Sequence, residues 1–255
     1  MKQMKFFLVA LMAVVMGMSV TSCMNGDNNT QVNDYPIIGK VKDSMLGSFT
    51  FTGLDGYTYK TKNVVSDAVS FYSGDYIIAA CSYDTEVDID HSTKTVNVTV
   101  GAVEKISGNE VSPTTKEEDT GENAMYKSNR GVYSASDYVP AMMDNYNLLM
   151  TIRYRAHEKR DKHSFRLVYY TDESEMKDKT ELKLYLRHNS EEELEKEKGY
   201  DIVYRSFNIY GAIQTYYQLN GKYPTRIVIE TEANTSDATV PEKTTPVSMD
   251  YTFKE

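Results

Sequence analysis

The sequence predicts an all-β body in two parts, the second of them an antiparallel β-sandwich. Three observations support this. Apolar and polar residues alternate with period two in many short segments, turn residues stand between those segments, and one polar stretch breaks the pattern mid-chain. Such alternation sends successive side chains to opposite faces, so a strand buries one face and wets the other.

Phe49 and Phe51, then Val96, Val98 and Val100, set the pattern in the first half. Leu148, Met150, Ile152 and Tyr154 continue it, followed by Phe165, Leu167 and Tyr169. Leu182, Leu184 and Leu186 alternate with Lys183, Tyr185 and Arg187, and Ile227 and Ile229 close the series. Tyrosine, which suits strands, occurs 21 times, and tryptophan is absent. Turns are expected at Asp55-Gly56, at Ser73-Gly74-Asp75 and at Asn220-Gly221. The polar run Ala156 to Lys162 reads as a connection between strands. One short charged helix is predicted between Ser190 and Gly199. Ser190 and Glu193 form a capping box there, Lys196 and Lys198 suit the helix end, and Gly199 stops it.

Residues 107–124 combine Pro, Gly, Ser, Thr and charges with no apolar period. The composition is that of an interdomain linker. It leads to domains at 35–111 and 125–255 with a linker at 112–124.

The start of the chain reads as an export signal. Lys2 and Lys5 precede the apolar run Phe6 to Val20, which is short against the about 20 residues that a membrane span needs. Val20-Thr21-Ser22-Cys23 then looks like a lipobox. Residues 1–22 are read as a signal peptide and Cys23 as the lipidation site, carrying palmitate-type acyl chains. Each buried CH₂ of such chains contributes about 0.8 kcal/mol of anchoring. Residues 23–34 are polar and rich in Asn, and read as a flexible tether. The expected location is the cell envelope, at the outer membrane, with the face left open.

Charge and cysteine count narrow the partners. Loss of Lys2 and Lys5 takes the formal net charge from -9 to -11. An acidic protein outside the cytoplasm is a poor nucleic-acid binder, because phosphate binding relies on Lys and Arg. With Cys23 acylated, Cys81 has no intramolecular partner, so a disulfide scaffold is excluded. Cys81 follows Ile77-Ile78-Ala79-Ala80 and reads as a small buried hydrophobe.

Two groups of residues carry a further signal. The first half holds Phe49-Thr50-Phe51, the Asp55-Gly56 turn and Ser73-Gly74-Asp75-Tyr76-Ile77-Ile78. The second holds His163-Ser164-Phe165-Arg166-Leu167-Val168, Leu184-Tyr185-Leu186-Arg187-His188-Asn189 and Ser206-Phe207-Asn208-Ile209. On these residues the chain resembles the NigD-like lipoproteins of the Bacteroidetes over most of its mature length. The resemblance implies a small OB-like barrel followed by the sandwich. It implies no activity, and a bacteriocin-immunity role only by association.

The Leu-Arg-His-Asn element is the most distinctive short motif. Arg187 and His188 point to opposite faces of a continuous strand. One reading is a polar site at a sheet edge formed by His163, Arg187, His188 and Asn189. The other pairs Arg187 with a carboxylate and has His188 or Asn189 satisfy backbone groups. The four histidines, His91, His157, His163 and His188, show no metal-ligand spacing, although His157 and His163 could face each other across a turn. No metal, cofactor or catalytic residue is expected: the chain has no GxSxG elbow, no phosphate-cradling loop and no cysteine beside a base. Tyr169-Tyr170 and Tyr216-Tyr217 are the candidates for stacking on a glycan. The leading expectation is a non-catalytic envelope lipoprotein that binds a protein or glycan. An immunity-type protein comes second and an envelope hydrolase third.

Overall fold

The computed structural model describes residues 35–66, 70–120, 124–134, 140–157, 160–196 and 199–254. The signal peptide, Cys23 and the tether lie outside the described residues. The chain forms two compact units, Met1–Ile106 and Ser107–Glu255.

The first unit is a small barrel. Its strands are β1 (Tyr35–Met45), β2 (Ser48–Gly53), β3 (Thr58–Thr61), β4 (Tyr76–Ser82), β5 (Ile89–Asp90) and β6 (Thr95–Lys105). They run in the order β3-β2-β1-β4-β6-β5, and a parallel pairing of β3 with β6 closes five of them into a ring. This is the OB-like barrel that the resemblance implied. Alternation fills it as expected: Phe49, Phe51, Val96, Val98 and Val100 all face the core. Phe51 stacks on Tyr59 at 5.0 Å. Cys81 is fully buried there, and burial pushes its thiol up to about 12. The Asp55-Gly56 turn joins β2 to β3, with Gly56 at a φ of 85° and the Asp55 carboxylate accepting the Tyr57 N–H.

The second unit is a two-sheet sandwich. In chain order it contains β7 (Val111–Thr114), α1 (Lys116–Thr120), β8 (Val132–Ser134), β9 (Ala141–Met142), β10 (Asn147–Ala156), β11 (His163–Tyr170), α2 (Glu173–Met176), β12 (Glu181–Ser190), β13 (Gly199–Asn208), α3 (Tyr210–Asn220), β14 (Arg226–Thr231) and β15 (Thr245–Asp250). One sheet runs β13-β10-β8, with β9 also on β10; the other runs β15-β14-β12-β11-β7. The polar connection after Ala156 carries the chain from the first sheet to the second. Leu148, Met150, Ile152 and Tyr154 from β10 share a core with Leu182, Leu184 and Leu186 from β12.

Three details differ from the sequence reading. The stretch read as a linker is part of this unit: β7 pairs in parallel with β11, from Val111↔Leu167 to Thr114↔Tyr170. Pro113 is tolerated because β7 is an edge strand. The five-stranded sheet is also mixed, since β12 and β14 run parallel. A parallel neighbour needs a crossover, which β13 and α3 supply.

The helices are exchanged as well. Among the described residues between Ser190, the end of β12, and Gly199, the start of β13, there is a 3₁₀ turn at Leu194–Lys196 and no α-helix. Ser190 ends β12, its hydroxyl accepts the Glu192 N–H (3.0 Å), and Glu192 is drawn into the interior. Among the described residues the longest helix is instead α3. Ile209, Ala212, Ile213 and Tyr216 form its buried stripe at helical spacing. Asn220-Gly221 is its end and not a hairpin turn. Gly221 takes a φ of 66° and donates its N–H to the Tyr217 carbonyl.

These boundaries predict fragment behaviour. Residues 107–255 should unfold cooperatively on their own. The shorter fragment 125–255 lacks β7 and Asp119, the buried partner of Arg187, and should be less stable by about 3–5 kcal/mol. Urea unfolding of both fragments measures the difference, and equal midpoints would contradict it.

Candidate functional site

The site is built on the antiparallel pair β11–β12. The register sets His163 opposite Ser190, Ser164 opposite Asn189, Phe165 opposite His188 and Arg166 opposite Arg187. Because side chains alternate, His163 and His188 point into the sandwich while Ser164, Arg166, Arg187 and Asn189 point outward. The structure therefore divides the four sequence-selected residues between two faces. Nor is the element at a sheet edge, since β12 lies between β11 and β14.

On the inner face the histidines form a hydrogen-bonded chain. His188 Nδ1 lies 3.2 Å from the Gly131 carbonyl oxygen. His188 Nε2 lies 3.0 Å from His163 Nδ1, and His163 Nε2 lies 3.1 Å from Glu192 Oε2. The tautomers follow from the partners. The carbonyl only accepts, so His188 Nδ1 carries a proton and its Nε2 accepts one from His163 Nδ1–H. The other ring nitrogen, His163 Nε2, is turned to the Glu192 carboxylate. The Glu192 oxygen also accepts the His157 N–H (2.8 Å). So His163 faces His188 and Glu192, and the backbone N–H of His157 reaches the same carboxylate.

Aromatic rings enclose this chain. Phe165 stacks on His188 at 4.5 Å, and Tyr154 packs on His163 at 4.6 Å. The His163 side chain has no exposed surface. Gly131 is required where it sits, because a Cβ there would come 2.6 Å from the Thr239 carbonyl oxygen. Burial depresses His188 to about 3; the Gly131 hydrogen bond opposes this, and the nearby His163 and Arg130 reinforce it.

On the outer face Arg187 is clamped. Its Nη2 donates to Asp119 Oδ2 and its Nη1 lies 3.4 Å from Glu232 Oε1. Tyr170 OH donates to the same Asp119 oxygen (2.8 Å), and Ser128 Oγ donates to Glu232. Burial opposes the charge on Arg187, but the Asp119 hydrogen bond and the two carboxylates outweigh it and raise its pKa. Asn189 completes a strap along the end of β12. Its Oδ1 accepts the Asn129 N–H (3.2 Å), while the Asn129 side chain bonds both the N–H and the carbonyl of Ser190. Arg187 and Asn189 thus do what the second sequence reading described.

Beside them lies an open cleft of about 350 Å³. Ser164, Arg166, Arg187 and Asn189 form its floor, and Glu110 and Tyr126 are among its walls. Arg166 is ion-paired with Glu110 and lies over the Tyr126 ring at 4.7 Å. The run Glu191 to Glu193 offered carboxylates near His188 or a solvated helix start, and Glu192 takes the first role; sequence reading missed Asp119, Asn129, Glu232 and Glu110. None carries a local pattern, because each meets its partner only through sheet pairing. Among the described residues no group of three or more His, Cys, Asp or Glu is placed to hold a metal ion. His91 lies in the first unit, 3.2 Å from the Tyr57 hydroxyl.

The glycan candidates are corrected by burial. Tyr169, Tyr170 and Tyr216 lie inside the protein, and only Tyr217 is exposed. Tyr217 ends a run of rings through Tyr223, Phe253, Tyr146 and Tyr210, with neighbouring centroids 4.0–6.1 Å apart.

No protein-family profile and no curated protein matches the chain. Solved structures do. A putative lipoprotein from Bacteroides fragilis superposes with a TM-score of 0.68 at 22% identity, over 86% of this chain and 98% of that one. A protein of unknown function from Bacteroides vulgatus gives 0.54 at 12% identity, over 86% and 90%. A NigD-like immunity protein from Bacteroides caccae gives 0.50 at 13%, over 84% and 92%. The chain shares their fold. The NigD-like resemblance seen in its residues thus meets a NigD-like solved structure of the same architecture.

Two substitutions test the site. His188 is neutral in the folded chain down to about pH 3, against 6.5 for an ordinary histidine. The unfolded chain therefore takes up this proton first as the pH falls. Stability from this group is full above about pH 6.5 and declines toward pH 3, by about 1.4 kcal/mol per pH unit. His188→Gln, whose amide can keep both hydrogen bonds, should flatten that part of the stability–pH curve in chemical denaturation. Asp119→Ala should cost about 3–5 kcal/mol by stranding the Arg187 cation.

Proposed function

We propose that the protein is a cell-envelope lipoprotein, held at the outer membrane by acyl chains on Cys23, whose second unit binds a partner protein without turning it over. One observation carries the binding part. The histidines and Arg187 are committed to the protein's own interior, while the polar cleft beside them opens to solvent on a rigid sheet. Rigid elements beneath an open, hydrogen-bonding surface suit recognition. The leader sequence supports the anchor, and so does the shared fold of the putative lipoprotein from Bacteroides fragilis.

An immunity-type role is the second reading, favoured by the shared fold of the NigD-like immunity protein. A tight one-to-one complex with a co-encoded toxin is its expected signature. Catalysis is the opposing outcome: turnover of a bound partner, lost on substitution of one acid or histidine, would overturn the non-catalytic assignment.

The anchor is tested by intact mass. The mature chain should begin at Cys23 and carry fatty acid, and Cys23→Ala should leave the precursor uncleaved and unlipidated. A mature chain that starts elsewhere, or a lipidated Cys23→Ala product, would contradict this.

A further inference from the structure

The cleft on the outer face of β11–β12 is rich in hydrogen-bond donors. The Asn189 oxygen is committed to the Asn129 N–H, which leaves its NH₂ as the cleft-facing group. Ser164 contributes an exposed hydroxyl. Arg166 adds a guanidinium, which carries only donors, while Arg187 and Arg205 line the cleft with their cations already engaged by Asp119 and Glu232 and by the Tyr204 carbonyl. Among the described lining residues the one acid is Glu110. Its side chain is 63% exposed and already sits on Arg166. An exposed pair of this kind contributes about 0–1 kcal/mol, so another carboxylate can displace it.

We propose that this cleft binds the carboxylates of an acidic peptide segment, with Arg166 as the receiving fork and Glu110 as a placeholder for the ligand. The proposal rests on the reading of the second unit as a binding module and names its ligand chemistry. A guanidinium fork matches a carboxylate in geometry and charge. Arg187 is held by Asp119 and Glu232, so it shapes the floor while Arg166, one-third exposed, is able to move. Tyr126 and Met125 offer apolar surface beside the fork for the neighbouring part of a peptide. A neutral sugar fits less well, because each hydroxyl both donates and accepts and the cleft offers few acceptors. The volume of about 350 Å³ suits a short segment, not a globular face.

The test uses the full lipidated chain in a detergent with neutral headgroups. Calorimetric titration compares blocked tetraglutamate, blocked tetraglutamine and trigalacturonate. Tetraglutamate should bind, more weakly as salt rises, and tetraglutamine should not. Arg166→Gln should weaken binding about tenfold, the loss of a charge-assisted contact. Ser164→Glu should weaken it similarly by placing a like charge in the cleft. Glu110→Gln should strengthen binding several-fold by removing the competing carboxylate, a gain that a purely structural role would not produce. Both Arg166 and Ser164 have solvent-facing side chains, and circular dichroism checks that the variants are folded. Equal binding of tetraglutamine, preference for trigalacturonate, no binding, or indifference to Arg166→Gln would each overturn the proposal. The lipid anchor is read separately by mass, so failure here leaves that part of the function standing.

Discussion

The guanidinium of Arg187 is almost wholly buried, and a cation in that position must be surrounded by acceptors or the fold loses several kcal/mol. Its needs organise one side of the second unit. Asp119 comes from a helical turn in a stretch of linker-like composition, and Glu232 comes from the residue after β14. Tyr170 and Ser128 hold those carboxylates in turn. A polar segment that would otherwise have no reason to pack is thereby tied to the sheet.

The same strand does the opposite work on its other face. One residue further along, His188 enters the core and can stay there only as a neutral ring. It succeeds because Gly131 and His163 take its two nitrogens, and because Glu192 ends the chain of donors. Alternation along β12 thus separates an ion pair from a histidine chain by the thickness of one sheet. What remains open to solvent between Arg166 and Asn189 is a surface whose floor is held rigid by both networks. A floor held in this way needs little further ordering, the condition under which a short polar cleft loses least entropy on binding.

Much of the fold was legible locally. Phe49, Phe51, Leu182, Leu184 and Leu186 lie inward as their spacing predicts. The Asp55-Gly56 hairpin and the buried Cys81 were also readable. Two helices were not. Ser190 to Gly199 carries the correct capping letters, yet Ser190 is held in β12 and Glu192 is hydrogen-bonded to the buried His163. Tyr210 to Asn220 has a helical apolar stripe, but Asn-Gly serves a helix end as well as a hairpin, and the stripe is short. For the site, the two faces of Arg187 and His188 and the nearness of His163 were readable from the strand pattern; which carboxylates hold Arg187 was not.

By itself the sequence determined which residues face inward and that Arg187 and His188 part company across the sheet. These follow from chain geometry of a few residues, which any strand imposes locally. Only the tertiary structure decided that Asp119 meets Arg187, that Glu192 meets His163, and that Glu110 rests on Arg166. Those pairs are 68, 29 and 56 positions apart. Contacts at such separation are set by which strands lie side by side, and pairing order is a property of the whole sandwich core.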